Sequence, residues 1–224
     1  MRKKVLMLVA VLTVAVVTGC GAPNWVQEGS GVHKGKTSLG IYGVGEGMSG
    51  VAPEVQTDLA SINARAATDK ATKEYSKNVL QDFVEGHSDW FKVDQVKNMG
   101  LYDKAAAQVA EKVLFRMQKV DQWKDSRGSE GEAGTMYLLR KVPLDATFFD
   151  TMGDTFKTVI SENKNRILRV ELDEVMQGLE KQLGALRQSP LGPKVAEMAE
   201  EEAQKAEEAA GEAAEEAADE KKNK

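Results

Sequence analysis

Few side chains in this sequence are placed to do chemistry, and each can be taken in turn. The chain has one thiol, Cys20, and two imidazoles, His33 and His87. A transition-metal site needs several ligands converging at short spacing, and neither histidine has such neighbours. No G-x-S-x-G elbow is present to pair a serine with either imidazole, so both read as surface residues. Gly45-Glu46-Gly47-Met48-Ser49-Gly50 fits G-x-G-x-x-G, and Asp69 lies about twenty residues on, which on paper is a dinucleotide fingerprint. That fingerprint works only inside a parallel βαβ unit, whereas here the next convincing strand leads into a hairpin. The glycines are read instead as a turn reversing the chain from strand to helix. No catalytic residue, metal ligand or cofactor is expected.

Cys20 has another use. It ends an apolar run from Val5 to Val17 behind Met1-Arg2-Lys3-Lys4, with Thr18 and Gly19 directly before it. A basic start, a short apolar stretch and small residues before a cut site make a secretory signal, too short to span a bilayer comfortably. A cysteine directly after the small residue resembles the bacterial lipobox, where the thiol receives diacylglycerol, the chain is cut before it, and the new amine is acylated. This implies a signal peptide over residues 1–19, a palmitate-type lipid on Cys20 and anchoring to a membrane. Gly21 in place of Asp implies the outer membrane in a two-membrane bacterium. With Cys20 acylated no thiol remains, which excludes cysteine nucleophiles, Cys-ligated zinc and disulfides. The fold must stand on its apolar core.

The formal charge is −5, and removing Arg2, Lys3 and Lys4 with the signal leaves the mature chain near −8. From Lys194 to Lys224 there are 11 acidic and 5 basic residues, so the body carries only about −2. A nearly neutral body offers no basic face to displace counterions from phosphates, which excludes nucleic acid as a partner.

Stepping outward, residues 20–36 are Gly-rich and polar and read as a lipidated tether, with Trp25 either a fixed point docking on the domain, the favoured reading, or an aromatic seated at the headgroup layer. Alternation of Leu39 and Ile41 against Ser38 and Gly40 predicts a first strand. Pro53 opens a long amphipathic helix with apolar positions Val55, Leu59, Ile62, Ala66, Tyr75, Val79, Phe83 and Val84, stopped at Gly86. A shorter helix is predicted around residues 102–111. Two β runs, residues 113–123 and 135–142, flank a polar Gly-containing loop and predict a hairpin. Asp145 caps a helix bearing Phe148, Phe149, Met152, Phe156, Val159 and Ile160. Across a polar joint at residues 161–165, a stripe from Ile167 to Leu186 sustains roughly three heptads, as a coiled coil does. The Ala/Glu/Lys tail has no large apolar side chain after Met198.

Four landmarks stand in order: Trp25-Val26 near the anchor, Tyr42-Gly43-Val44-Gly45-Glu46-Gly47, Asn63-Ala64-Arg65-Ala66-Ala67, and Val120-Asp121-Gln122-Trp123 with Met136-Tyr137-Leu138-Leu139 beyond the loop. Their order, over about residues 24–143, resembles the LPP-twenty family of bacterial surface lipoproteins, which includes flagellum-associated members. The resemblance implies a small α+β domain with a long helix packed on an antiparallel sheet. It also places Asp121 and Asp125 in or beside a motif strand, as structural ion-pair partners for Arg65 in its Ala-rich helix.

The expected organisation is therefore α+β: a signal peptide (1–19), a tether (20–36), an α+β domain (37–143), a helical region (144–192) and an acidic tail (193–224). The expected function is a membrane-anchored envelope lipoprotein with a structural or assembly role and no catalysis. The alternative is an envelope lipoprotein binding a small molecule or glycan between helix and sheet. Leu172, Val175, Leu179, Leu183 and Leu186 form one stripe expected to engage an envelope protein partner or a second copy, unless that stripe folds back and completes the core.

Overall fold

A computed structural model of the chain describes residues 22–34 and 39–190. The signal, Cys20, most of the link around residue 36 and the acidic tail lie outside the described residues. The elements run α1 (Asn24–Glu28), β1 (Gly31–Lys34), β2 (Leu39–Gly47), α2 (Pro53–Gly86), α3 (Val93–Asn98) and α4 (Leu101–Val113). After a 3₁₀ turn at Leu114–Arg116 come β3 (Gln118–Asp125), β4 (Thr135–Pro143), α5 (Ala146–Ile167) and α6 (Leu172–Gln188). The strands form one antiparallel sheet in the order β1-β2-β4-β3, and α2 packs across it, so the chain is α+β.

Three expectations about local structure change. The tether is not featureless, because α1 and the edge strand β1 fall inside it, with Val32 paired to Ile41. The first β run starts late: Val113 ends α4, and only residues 118–125 pair with β4. Helix α5 runs straight through the joint at residues 161–165, and the break comes after Ile167.

The apolar stripe read for α2 is also only half right. Toward its C-terminal end Val79, Phe83 and Val84 are buried as expected, and Leu80 is buried beside them. From its start to Ser76, however, Val55 is 48% and Ile62 63% exposed, while Gln56, Ala60, Ala64, Thr68, Thr72 and Ser76 face inward. The reason lies in β2. A Cβ added at Gly45 would sit 2.0 Å from the Ala64 backbone nitrogen, at Gly43 2.2 Å from Thr68 Oγ1, and at Gly47 2.1 Å from the Gln56 carbonyl oxygen. Alternate glycines let the helix backbone rest on the strand, and only small side chains fit between them. The two buried threonine hydroxyls are satisfied within the helix, Thr68 donating to the Ala64 carbonyl and Thr72 to the Thr68 carbonyl, whereas Ser76 Oγ is buried without a partner among the described residues. Two of the glycines read as a turn, Gly45 and Gly47, are thus strand residues at a close approach of helix and sheet.

The larger core lies beyond the sheet. Phe83, Phe91, Phe148, Phe149, Met152 and Phe156 interlock with Val79 and Leu80 of α2, Val109 and Val113 of α4, and Ile41 and Val142 of the sheet. Val175, Leu179 and Leu183 of α6 belong to this same cluster, with Leu172 and Leu186 packed against it. The stripe expected to serve as an interface or coiled coil is therefore core, because α5 turns back at residues 168–171 and lays α6 onto α2 and α5. A short bridge fixes this return: the Lys92 N–H donates to the Ile167 carbonyl at 2.7 Å, and the Arg169 N–H to the Trp90 carbonyl at 2.8 Å. Residues 39–143 and 144–190 consequently share one interior and are not two bodies. Asp145 caps α5 as expected, accepting from the Phe148 N–H, and it also pairs with Arg116.

Candidate functional site

Strand alternation sends successive side chains to opposite faces of the sheet. With Gly43, Gly45 and Leu138 turned toward α2, the residues between them face away from it. The second face carries Tyr42, Leu139, Lys141 and Asp121, and register aligns them: Tyr42 stands opposite Lys141, and Asp121 opposite Leu139. Lys141 Nζ lies 5.6 Å from the Tyr42 ring centroid, in range of the ring's negative face. The His33 ring on β1 is 6.2 Å from Tyr42 on the other side. Farther along, Trp123 and Tyr137 stack at 5.6 Å.

Helix α1 crosses over this face and is pinned at both ends of its reach. The Trp25 indole N–H donates to Asp121 Oδ2 at 3.2 Å, and Gln27 Nε2 donates to Glu130 Oε1 at 2.9 Å. Trp25 thus docks on the domain. Between α1, β1 and the sheet lies a groove of about 750 Å³. That volume falls within the range of small-molecule sites. Its walls are aromatic and apolar at Trp25, Tyr42 and Leu139, cationic at Lys34 and Lys141, and acidic at Glu28 and Asp121. Val120 joins the wall through a β-bulge: the pairing of Lys119 with Arg140 jumps to Asp121 with Leu139 and leaves Val120 as the extra residue. His33 Nε2 is buried and has no hydrogen-bond partner among the described residues. His33 is therefore no plain surface residue. His87 is partly buried as well, its Nδ1 2.9 Å from the Phe83 carbonyl and its ring 4.3 Å from Trp90.

The proposed ion pair of Arg65 does not form. Arg65 lies on the exposed side of α2, because the inward stripe is one of small residues. Asp121 is engaged by Trp25 and by the N–H of Gln122. Asp125 is buried and turned into the hairpin loop, where the N–H groups of Arg127, Gly128 and Glu130 and the Ser129 hydroxyl all donate to it. Burial pushes the Asp125 carboxyl up, but these loop donors outweigh it and hold it at about 2. Asp125 organises the hairpin loop, whose Glu130 carbonyl in turn accepts from the Tyr137 hydroxyl at 3.3 Å. Burial raises the Tyr137 phenol above its ordinary range.

A second hollow, of about 280 Å³, lies between α5 and α6. Four of the charges that line it are spent on each other, Lys157 with Glu180 and Arg187 with Asp150, and the remaining one, Asp154, is acidic. Among the described residues, no group of three or more His, Cys, Asp or Glu side chains could hold a metal ion, and no helix is long and apolar enough to cross a membrane.

Sequence reasoning anticipated the docking of Trp25 but not the groove. The alternation around Ile41 does put Tyr42 on the face opposite the core, which is a usable signal. Nothing local says that α1 will cover that face or that His33, Val120 and Lys141 will meet there. No family model, no curated protein and no solved structure matches the chain.

Proposed function

We propose that the chain is a lipid-anchored lipoprotein of a bacterial envelope, akin to the LPP-twenty family and held in the outer membrane, that works without catalysis by binding a ligand under α1. The groove carries this reading. It combines aromatic walls, two ammonium groups, two carboxylates and an imidazole nitrogen without a partner among the described residues. The lipobox at Cys20 supports the anchor. The landmark residues meet in the fold, Trp25 at Asp121 and Gly45 at Ala64. Palmitate feeding should label the wild type and not Cys20→Ser, and the variant should leave the membrane fraction. A photoreactive residue at Val120 should capture an adduct in intact cells, whereas one at Ile62, outside the groove, should not capture the same species. Lack of any adduct at Val120 would remove the binding role.

A structural or assembly role has its own support. Met48, Val51, Val55 and Ile62 are exposed apolar residues at the start of α2 and just before it, a surface where an envelope protein or a second copy of the chain could seat. If so, Val55→Glu with Ile62→Glu should yield a smaller species in sedimentation without loss of the cooperative melt.

A further inference from the structure

We infer that the groove binds the glycerophosphate headgroup of an anionic phospholipid in the bilayer that holds Cys20. This deepens the binding role proposed above and rests on it. Placement is the first argument. Pro23 lines the groove and stands three residues from Cys20. A chain extends at most ~3.6 Å per residue, so the Pro23 Cα at the groove's rim lies within about 11 Å of the Cα of the acylated cysteine. Headgroups are then the most concentrated chemical groups at its mouth, and tethering turns their capture into a local event. Chemistry is the second argument. Lys34 and Lys141 supply ammonium charge for a phosphate, and the His33 ring lines the same groove. Trp25 lines the groove five residues from Cys20 in the sequence, and Val120 and Leu139 give apolar surface for the glyceryl neck. Charge is the third. The mature chain is net acidic, so any attraction to an anionic surface must come from local cations and not from overall charge.

The test uses the full mature chain with Cys20→Ser, which carries no acyl group, and vesicles of phosphatidylcholine with or without phosphatidylglycerol. Co-sedimentation should favour the phosphatidylglycerol vesicles. A lysine near an anionic surface contributes ~1 kcal/mol, about five-fold each, so Lys34→Ala with Lys141→Ala should weaken binding about 25-fold. Lys157→Ala, whose ammonium pairs with Glu180 on the far helices, should bind as the wild type does. Because Lys141 touches Tyr42, Lys34→Glu alone serves as the second variant, and it should also weaken binding while melting normally. Equal binding to both vesicle types, or wild-type binding by the lysine variants, overturns the assignment. Binding of soluble glycerol 3-phosphate without vesicle binding overturns the lipid source. An adduct at Val120 without vesicle binding leaves the binding role standing and removes only the headgroup; loss of both removes both.

Discussion

Adding one methyl group at Gly45 would place it 2.0 Å from the Ala64 nitrogen and 2.2 Å from the Ala60 carbonyl oxygen. Both neighbours are helix backbone, which cannot swing aside as a side chain would. Relief to ordinary contact at 3.4 Å requires α2 and β2 to part by about 1.4 Å. A radial gap of 0.5–1 Å already forfeits about a quarter to a half of each dispersion contact. Asn63 Nδ2, which donates to the Glu46 carbonyl at 2.7 Å, would be drawn off as well. Overpacking typically costs about 1–3 kcal/mol, and a clash with backbone on both sides belongs at the upper end, so we expect about 3 kcal/mol for Gly45→Ala. For a domain of this size that lowers the Tm by roughly 6–12 °C. Gly184→Ala is the control: its Cβ meets nothing within 4 Å, and removing a helix-interior glycine should stabilise by up to about 1 kcal/mol. Urea denaturation of both variants measures the difference. A Gly45→Ala protein within about 0.5 kcal/mol of the wild type, far below the usual overpacking cost, would refute the close-approach argument.

Leu179→Ala should cost about 2–5 kcal/mol, because its side chain is fully buried against α2 and α5. Leu179→Glu with Leu183→Glu should abolish the cooperative thermal melt; a variant that still melts cooperatively but sediments as a smaller species would restore the stripe as an interface. Asp125, held at about 2 against an ordinary 3.8, stabilises the fold fully above pH 4 or so, and that contribution is lost as pH falls from 3.8 toward 2. Thermal melts across that window should therefore show the gap between wild type and Asp125→Asn shrinking; a constant gap would mean that the loop donors do not favour the charged carboxylate.

Much of the architecture is local and was legible along the chain. Pro53 and Gly86 bound α2, Asp145 caps α5, and two β runs around a Gly-containing loop make the β3–β4 hairpin. These follow from backbone preferences and short-range hydrogen bonds, which need no knowledge of the partner. Which face of α2 turns inward is another matter. Hydrophobic periodicity favours Val55 and Ile62 because it assumes that burial means large apolar side chains. Against a strand of alternate glycines the deciding quantity is the approach distance, so Ala60, Ala64 and Thr68 are buried and the larger residues are left outside. The same limit applies to Leu179 and Leu183. Their stripe announces that something must cover it, and only the return at residues 168–171 decides that the cover is the chain's own core. The groove is the extreme case. Trp25 and Asp121 are 96 residues apart and meet only because sheet order, strand register and the path of α1 are all in place, none of which is encoded in any short segment.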